Sequence, residues 1–521
     1  MTLSKEIYRE LEDIVGPENL SDDLAILDIY AFQRLSSRKG EKKRIRYFPR
    51  PETMVLPGST KEVQAIIKLC NRRGIQCKAS STGYGSTNSC GGPGVVILDM
   101  RRMDRIVDID AKNMIVIVEP YVTFAQVQAE VMKRGLGCHV VGAGSQVSML
   151  ASHTSVVGNN TQCISQGHSA RNIFGAEWVT PTGEIVEIGA PGSGAGWFSG
   201  DGPGPSLRGI IRGAVGANGA LGVFTKCAVH LHPWPGPAEL EVKGVSPDYE
   251  AVIPPNFDYH VCEFPTWEQF ADATYKIGEA GIAYAFHKTG GPGSHGLCIT
   301  GSNDEYYEKK IKGELDVPKI SFSLVLAAFS SNEFAYQEKV LKTILEETGG
   351  KICPLGEEPL WKKRDFLTMI KACFIPRLAF RATGTFDVDG ILGIDSVDHC
   401  ALGLKIDEEH RNKYAARGTI MDDGTLNSWG APYEGSHLGL VECGHSFSSI
   451  DEVSIDGAGD MIREGIGICI KTPIALGWSF YGAEVVGQLC CNFQNWMKKI
   501  KIAFDPNVVC DTTYYISLDG K

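Results

Sequence analysis

The residues from Lys78 to Met100, KASSTGYGSTNSCGGPGVVILDM, combine groups that bind a phosphate. Gly83 and Gly85 carry no side chain, so a ligand can approach the backbone N–H groups there. The hydroxyl donors beside these glycines are Ser81, Thr82, Ser86 and Thr87. The apolar run VVILDM then predicts a strand that holds the loop in place. This stretch alone leaves open a second interpretation, an ordinary glycine-rich hairpin loop without a ligand.

A β-α-β unit precedes this first loop. The sequence predicts a strand at Met54–Leu56, a helix capped at Thr60 and ended by Gly74, and a strand at Ile75–Ala79. The loop therefore follows the end of a strand, where α/β folds bind ligands. Because it joins two strands and lacks G-x-G-x-x-G at a helix start, the pattern argues against a Rossmann domain.

More strands and a second loop follow. The runs IVDID and MIVIVEP predict two strands, and Thr123–Arg134 predicts a helix. A second loop rich in Gly, Ser and Asn covers Gly142–Gly167, and its flexibility would be costly unless a ligand or neighbouring loop ordered it. The segment AEWVTPTGEIVEIG predicts a hairpin, and Leu221–Leu231 predicts one more strand.

Composition and charge exclude several classes of function. A formal net charge of −11 argues against a nucleic-acid partner. The 16 cysteines include no C-x₂-C pair, which argues against an iron–sulfur cluster within the chain. The chain starts with a charged helix rather than a signal peptide, so we expect a reducing cytoplasm. No apolar run approaches about 18 residues, so we expect no integral membrane segment.

A series of segments, taken in order, resembles a known family. The segments are RPETMVLPGSTKEVQAI, GYGS, VVILDMRRMDRIVDID, VIVEPYVTF, VVGNN, AEWVTPTGEIVEIG, GALGVFTKCAVHLHPWPG and FDPN. Together they resemble the FAD-binding (PCMH-type) domain of the vanillyl-alcohol oxidase and p-cresol methylhydroxylase superfamily. The resemblance implies an α+β fold, with a two-subdomain FAD-binding domain and an α+β cap that carries an antiparallel sheet.

The resemblance also implies domain boundaries. We expect a helical lead-in at residues 1–46 and the FAD-binding domain at 47–237, with Pro233–Pro237 at its end. The cap would span 238–460, where strands and helices lack a strict alternating rhythm. Residues 461–521 would return to the FAD-binding domain.

FAD is the cofactor that the resemblance implies. The first loop would wrap the pyrophosphate, the second would lie along the diphosphate and ring system, and Gly222–Phe224 would meet the adenine end. The predicted contact residues are Ser81, Thr82, Gly83, Tyr84, Gly85, Ser86, Thr87, Ser152, Val157, Gly158, Asn159, Gly222, Val223 and Phe224. Some members bind FAD covalently through a His in the first loop, where this chain has Tyr84 or a neighbour, so we expect non-covalent FAD. His153, His168 and Cys163 remain possible attachment or ring-contact residues.

The cap must supply the catalytic groups. His399 could take a hydroxyl proton while Asp398 or Asp395 orients it. The segment LWKKR resembles the Trp-x-x-Arg helix of FAD-linked D-lactate and glycolate dehydrogenases, which marks Arg364 as a clamp for a substrate carboxylate, with Arg381 and Arg377 as further candidates. His437, Glu442 and His445 of SHLGLVECGHSF form a third cluster of candidates for the base. They could also ligate a metal, but on one strand the two histidines would lie about 26 Å apart, so we expect no metal.

The expected function is that of an FAD-dependent dehydrogenase. It would oxidise a small hydroxylated substrate, a 2-hydroxy acid in the main interpretation, and pass electrons to a protein acceptor. Oxidation of an alcohol or a 4-alkylphenol is the alternative, because GYGS favours phenols while LWKKR favours hydroxy acids. Two further alternatives are an electron-transfer subunit with an iron–sulfur, cytochrome or electron-transfer-flavoprotein partner, and a non-redox flavin as in alkyl-dihydroxyacetonephosphate synthases. We also expect a homo-oligomer.

Overall fold

The computed structural model describes most of the chain. The described residues are 3–31, 49–83, 90, 92, 94–142, 144–156, 158–189, 197, 206–211, 216–245, 248–288, 299–315, 318–372, 386–420, 429–448, 450–472, 474, 492–513, 515–516 and 518.

The first subdomain is a small mixed sheet with helices against it. Its elements are α1 (Lys5–Val15), β1 (Leu20–Ser21), α2 (Leu24–Ala31), β2 (Thr53–Val55), α3 (Thr60–Arg73), β3 (Gln76–Ser80) and β4 (Val95–Asp99). The strand order is β1-β2-β4-β3, with β2 and β3 parallel to β4. The predicted β-α-β unit is present, although Ser59 rather than Thr60 caps α3 by accepting the Glu62 N–H at 3.2 Å.

The second subdomain is an antiparallel five-stranded sheet of order β5-β6-β10-β8-β9. Its elements are β5 (Ile106–Asp110), β6 (Ile115–Val118), α4 (Phe124–Met132), β7 (Leu136–Gly137), α5 (Met149–Thr154), α6 (Cys163–Gln166), β8 (Ile173–Val179), β9 (Ile185–Ile188), α7 (Arg208–Ile211), β10 (Val223–His230) and β11 (His232–Pro233). The predicted hairpin of β8 and β9 and the predicted pair of β5 and β6 are confirmed.

The cap is built on antiparallel sheets, as predicted: two larger ones of orders β15-β16-β14-β17 and β18-β20-β19, and the two-stranded pair β12-β13. Its strands are β12 (Val242–Lys243), β13 (Glu250–Ala251), β14 (Phe257–Glu263), β15 (Ala283–Lys288), β16 (Ser321–Ala327), β17 (Lys351–Ile352), β18 (Phe386–Asp395), β19 (Trp429–Tyr433) and β20 (Leu438–Ser446). The helices of the remaining chain are α8 (Trp267–Ala280), α9 (Asn303–Ile311), α10 (Ser331–Thr348), α11 (Pro359–Lys371), α12 (Val397–Ala415), α13 (Glu452–Lys471) and α14 (Phe493–Phe504).

The two faces of the cap sheets differ in what covers them. One hydrophobic core joins both sheets to helices α8, α10 and α12, and we call this the helix-covered face. On the opposite face, which we call the inner face, Tyr259 and Val325 pack against α11, while Tyr433 and Leu440 pack against Cys163 of α6. Successive side chains along a strand point to opposite faces, so residues two positions apart on one strand share a face.

The end of the chain lies beside the first subdomain. The Cys77 N–H of β3 donates to the Val509 carbonyl at 2.7 Å, and the Asp511 N–H donates back to the Cys77 carbonyl at 3.0 Å. Residues 509–511, which follow α14, therefore lie beside β3, the strand that leads into the first loop. The domain boundaries given above stay a prediction.

Candidate active site

A hydrogen bond joins the described parts of the first and second loops. The Ser148 N–H donates to the Thr82 hydroxyl at 3.1 Å, which brings Ser81–Gly83 beside the start of α5. Gly83 has φ +73°, a left-handed conformation that side-chain-bearing residues rarely adopt. The predicted contacts Tyr84, Gly85, Ser86, Thr87 and Val157 lie outside the described residues.

The second loop is more ordered than the sequence predicted, because it contains two short helices, α5 and α6. The Ser148 hydroxyl caps α5 by accepting the Ala151 N–H at 3.1 Å. The predicted contact residue Ser152 lies on α5 and is buried. Gly158 follows α5 in a crowded position: a Cβ there would lie 2.3 Å from Val141 Cγ2 and 2.7 Å from Ser169 Oγ. Only glycine fits this turn without a shift of its neighbours.

Asn160 is a second-loop residue that the sequence analysis left out of the contact set. Its side chain is fully buried, and neither end of its amide has a hydrogen-bond partner among the described residues. A buried amide without partners costs free energy, so a ligand that supplies both a donor and an acceptor would stabilise it. The side-chain-free backbone at Gly83 and Gly158 and the Asn160 amide together fit the diphosphate and polar ring edge of FAD.

Gly222–Phe224 stands at the start of β10. A Cβ at Gly222 would lie 2.3 Å from the Val179 carbonyl oxygen, and its φ is +109°. The Phe224 ring stacks on Trp178 with centroids 5.2 Å apart, and Val223 is likewise buried in the core. Any contact of this segment with an adenine therefore falls to its backbone, since both side chains serve the packing of the sheet.

The cap rests directly on the second loop. The Tyr433 hydroxyl of β19 donates to the Asn159 side-chain oxygen. The Phe286 N–H of β15 donates to the Thr161 carbonyl at 2.6 Å, and the Thr161 hydroxyl donates to the Met369 carbonyl at 2.6 Å. Two cap strands, β15 and β19, and the end of α11 thus hold the second loop in place through hydrogen bonds.

Glu442 of β20 brings a carboxyl to this part of the inner face. It shares its side of the strand with Leu440, which packs against Cys163, and its neighbours across the strands are Trp429 and Leu392. Its side chain keeps partial contact with solvent, yet burial raises the pKa of the carboxyl from 4.5 to about 7. A carboxyl in that state can accept or release a proton near neutral pH.

A second polar group on the inner face surrounds Asp365 of α11. Its Oδ2 accepts the Tyr259 hydroxyl at 2.7 Å and lies 3.8 Å from His287 Nε2. The Trp361 indole donates to the Tyr259 oxygen at 3.0 Å. Neither ring nitrogen of the buried His287 has a hydrogen-bond partner among the described residues. The cluster orients α11 against β14 and β15.

Arg364 lies on α11, next to Asp365, as the Trp-x-x-Arg pattern predicted for that helix. It is buried, and its Nη1 lies 3.3 Å from Asp248 Oδ1. The guanidinium is therefore neutralised in part by a carboxylate that is itself half-exposed. Arg377 and Arg381 lie outside the described residues.

His399 and Asp398 are on a different side of the cap from the FAD loops. Both belong to the first turn of α12, which packs on the helix-covered face through Val397 and Cys400. His399 Nδ1 lies 2.9 Å from Asp395, and the His399 side chain is 50% exposed. Ile164 of the second loop reaches the same core as Val397 and Cys400. The hydrogen bonds of His399 within the described residues are to Ser396 and Asp395, so they do not join the predicted base to the predicted cofactor loop.

The metal candidates are also dispersed. His437 precedes β20, His445 lies near its end, and the alternation along the strand puts Glu442 on the opposite side from His445. The described residues contain no group of three or more His, Cys, Asp or Glu side chains arranged to hold a metal ion. Within the same part of the chain, no helix is both long and apolar enough to cross a membrane.

Sequence reasoning had signals for some of the missed residues. Asn160 belongs to the VVGNN motif, and its neighbour Asn159 was predicted to be a contact. Glu442, in contrast, belongs to a cluster of predicted candidate bases; the alternating pattern of LGLVECG marks a strand but does not say which face of the sheet lies over the second loop. Nothing in the sequence near His287 pairs it with Asp365, because the two are brought together only by the sheet and α11.

Comparison with known proteins agrees with the geometry of the two loops. Residues 51–189 match the model of a family described as an FAD binding domain. The chain therefore contains an FAD-binding domain. The first and second loops of this domain contact each other through Thr82 and Ser148.

Curated relatives match over part of their length. The chain is 24% identical to glycolate oxidase subunit GlcD of Bacillus subtilis over 45% of this chain and 46% of that protein. It is 24% identical to a probable mitochondrial D-lactate dehydrogenase of Danio rerio over 54% of this chain and 50% of that protein. The chain thus spans about half the length of these relatives.

The fold as a whole is similar to that of a solved structure. A crystal structure of p-cresol methylhydroxylase with substrate bound superposes with a TM-score of 0.75, covering 100% of this chain and 99% of the other, at 15% identity. The predicted arrangement of an FAD-binding domain and an antiparallel cap is confirmed at the level of the fold.

Proposed function

We propose that this protein is an FAD-dependent oxidoreductase, a dehydrogenase that oxidises a small hydroxylated substrate. The observation that carries the proposal is the direct contact of the cap with the second FAD loop, through Tyr433 on Asn159 and Phe286 on Thr161. A cap in this position would enclose the space beside the flavin and present the polar groups of its inner face to a substrate.

The residues that would hold FAD come from both loops. Thr82, Gly83, Ser152, Gly158 and Asn160 line or support the junction described above, and bound FAD would supply a hydride acceptor at N5. We propose that FAD binds without a covalent bond. Burial raises the pKa of the Cys163 thiol far above its ordinary range, so that Cys163 stays a poor nucleophile.

Acid precipitation tests the mode of FAD attachment. Precipitated protein should leave the yellow flavin in the supernatant. Flavin colour that remains in a washed pellet would contradict the proposal, and peptide mapping would then show whether His153, His168 or Cys163 carries it.

We propose a 2-hydroxy acid as the substrate class. Arg364 supports this class because a buried guanidinium can bind both oxygens of a carboxylate, although Asp248 already shares its charge. The names of the curated relatives, a glycolate oxidase subunit and a D-lactate dehydrogenase, support the same class. The alternative is a 4-alkylphenol or an alcohol, which the GYGS motif favours.

Anaerobic flavin reduction separates these substrates. The purified holoprotein is mixed with D-lactate, glycolate, vanillyl alcohol or p-cresol, and bleaching of the flavin absorbance is followed. We expect reduction by D-lactate or glycolate. Reduction by p-cresol or vanillyl alcohol alone would favour the phenol class, and bleaching by none would contradict the oxidoreductase proposal and favour a non-redox flavin.

Variants on α11 sharpen the test. Arg364→Met should weaken reduction by a hydroxy acid by about tenfold to a hundredfold, because a charged hydrogen bond contributes roughly 1.5–3 kcal/mol. Lys363→Met is the matched control, since Lys363 neighbours Arg364 on the same helix but its side chain is 45% exposed. Equal rates for the two variants would remove Arg364 from the substrate site.

We further propose that electrons pass to a separate protein. An iron–sulfur protein, a cytochrome or an electron-transfer flavoprotein would serve as the partner of a cytoplasmic homo-oligomer. Purification of a tagged chain from its native host, followed by absorbance spectra of the co-eluting proteins, tests this. A chain that elutes alone and reduces oxygen directly at the rate of substrate oxidation would count against a protein acceptor.

A further inference from the structure

The partly buried Glu442 differs in its surroundings from the buried carboxyls of Glu177 and Glu119. Glu177 accepts hydrogen bonds from Thr225 at 2.7 Å and Lys226 at 2.9 Å, and Glu119 accepts from Arg105 at 2.7 Å. No described residue forms a hydrogen bond or an ion pair with the Glu442 carboxyl. A carboxyl without such partners in the interior lowers stability, which makes the position a candidate for a functional role.

The position of Glu442 in the sheet directs it towards the FAD loops. Leu440, two residues earlier on the same side of β20, packs against Cys163 of α6. On the neighbouring strand β19, the Tyr433 hydroxyl donates to the Asn159 side chain. The Trp429 ring of the same strand lies 3.4 Å from the position that a Cβ would take at Gly142. Glu442 therefore lies on the surface that covers the second loop, on the side of the sheet opposite His399.

Glu442 also keeps partial contact with solvent, whereas Leu440 and Tyr433 are buried. The Glu442 side chain is therefore not fully packed between the cap and the second loop. A small substrate could reach it there, which a fully packed carboxyl would not allow.

The ionisable groups that face Glu442 favour a neutral surrounding. Tyr433 of β19 and Cys163 of α6 both have a pKa raised by burial, so neither carries charge near neutral pH. His168, which directly follows the second loop, packs against Tyr433 with ring centroids 5.6 Å apart. With burial as the cause of its raised pKa, about 7, Glu442 can exist in both protonation states at working pH.

We propose that Glu442 is the acid–base group of the active site and takes the hydroxyl proton of the substrate. This inference rests on the proposed function. Oxidation of a 2-hydroxy acid to a 2-oxo acid breaks the C2–H and O–H bonds. FAD is the oxidant that accepts the hydride from C2, the Glu442 carboxylate accepts the proton from oxygen, and the proton then leaves to solvent. The role predicted for His399 passes to Glu442 because of the face on which each residue stands.

Flavin reduction by D-lactate tests the proposal in the holoprotein. Glu442→Gln should lower the rate constant of anaerobic flavin reduction by about 10²-fold to 10⁴-fold, the range of general base catalysis, while FAD absorbance is retained. The wild-type rate should rise with pH through about 7, as the carboxylate forms. Glu263→Gln is the matched control, since Glu263 of β14 pairs with the exposed Lys351 at the far edge of the other cap sheet.

A substrate-free measurement accompanies the kinetics. Infrared difference spectra of the holoprotein between pH 6 and pH 8 should show the loss of a protonated carboxyl band in the wild type and in Glu263→Gln, but not in Glu442→Gln. The same band in Glu442→Gln would overturn the proposal.

These experiments distinguish a failure of the proposed function from a failure of the role assigned to Glu442. If D-lactate and the other three compounds all fail to reduce the wild-type flavin, the proposed function fails and the role of Glu442 fails with it. If the wild type is reduced and Glu442→Gln keeps its rate and pH profile, the oxidoreductase function stands and only the role of Glu442 is overturned.

Discussion

The Tyr433 hydroxyl of the cap donates a hydrogen bond to the Asn159 side chain of the FAD-binding domain. This contact joins the strand β19 to a residue that the sequence predicted to touch FAD. We expect Tyr433→Phe to weaken FAD binding by about tenfold, or ~1.4 kcal/mol, because Asn159 loses the donor that orients it. Quenching of flavin fluorescence on titration of the apoprotein measures the change.

A tyrosine on the other side of the cap is the control for this variant. The Tyr414 hydroxyl of α12 donates to Glu464 of α13 at 2.7 Å, away from the FAD loops. Tyr414→Phe should lower thermal stability but leave FAD affinity unchanged. Equal FAD affinities for the two variants would contradict a role for the Tyr433 contact in holding the loop.

Gly158 is expected to tolerate no side chain. Gly158→Ala would place a methyl group 2.3 Å from Val141 Cγ2, so the second loop must shift. We expect a loss of roughly 1–3 kcal/mol in the free energy of unfolding, the usual effect of overpacking, together with weaker FAD binding. Chemical denaturation and flavin titration measure the two effects.

Gly467→Ala is a matched glycine substitution with the opposite expected sign. Gly467 lies inside α13, and a Cβ there would meet nothing within 4 Å. The helix should gain about 0.5–1 kcal/mol from the alanine. A destabilised Gly467→Ala with an unchanged Gly158→Ala would contradict the packing described for both positions.

Lys501 and Asp505 form a buried ion pair that holds the C-terminal residues to the FAD-binding domain. Lys501 Nζ donates to Asp505, to the Ala220 carbonyl at 2.6 Å and to the Cys510 carbonyl at 3.0 Å. Lys501→Met leaves the Asp505 carboxylate buried without its cation, which should cost about 3–5 kcal/mol of unfolding free energy.

A neighbouring exposed lysine is the control that shows whether burial of the charge matters for stability. Lys499 of the same helix stands over the exposed Trp496 ring at 4.4 Å, and Lys499→Met should change the unfolding free energy by less than about 1 kcal/mol. Urea unfolding of both variants provides the comparison, and similar stabilities would show that the Lys501 pair contributes little.

The lowered pKa of His153 predicts how the free energy of unfolding depends on pH. Its Nδ1–H donates to the Met149 carbonyl at 2.7 Å, and burial lowers its pKa from 6.5 to about 4. Between these values the unfolded chain binds a proton that the folded chain does not, so stability falls as the pH falls. The fall due to His153 should reach about 3 kcal/mol by pH 4.

Denaturation across pH 4 to 7 measures this contribution. His153→Gln should reduce the slope of unfolding free energy against pH, although the variant is less stable at pH 7 because its packing changes. An unchanged slope would show that the His153 imidazole is not the group that takes up the proton.

The sequence predicted the strands and helices near the first loop because their signals are local. Ser59 and Gly74 bound α3 through capping chemistry within a few residues, and the turn at Gly183 lies between two runs of alternating residues. The prediction of FAD needed several such motifs in a fixed order, and residues 51–189 match the FAD-binding domain model.

Local sequence signals were therefore sufficient to identify the cofactor domain, whereas the placement of the groups around it follows from the packing of the sheets and helices. His399 and Glu442 both looked able to handle a proton in the linear chain. Strand alternation and the packing of α12 put His399 on the helix-covered face, while β20 directs Glu442 to the inner face above the second loop. The first loop is legible in the sequence because it carries its own glycines and hydroxyls; a cap residue acquires its role only from the face of the sheet that it occupies.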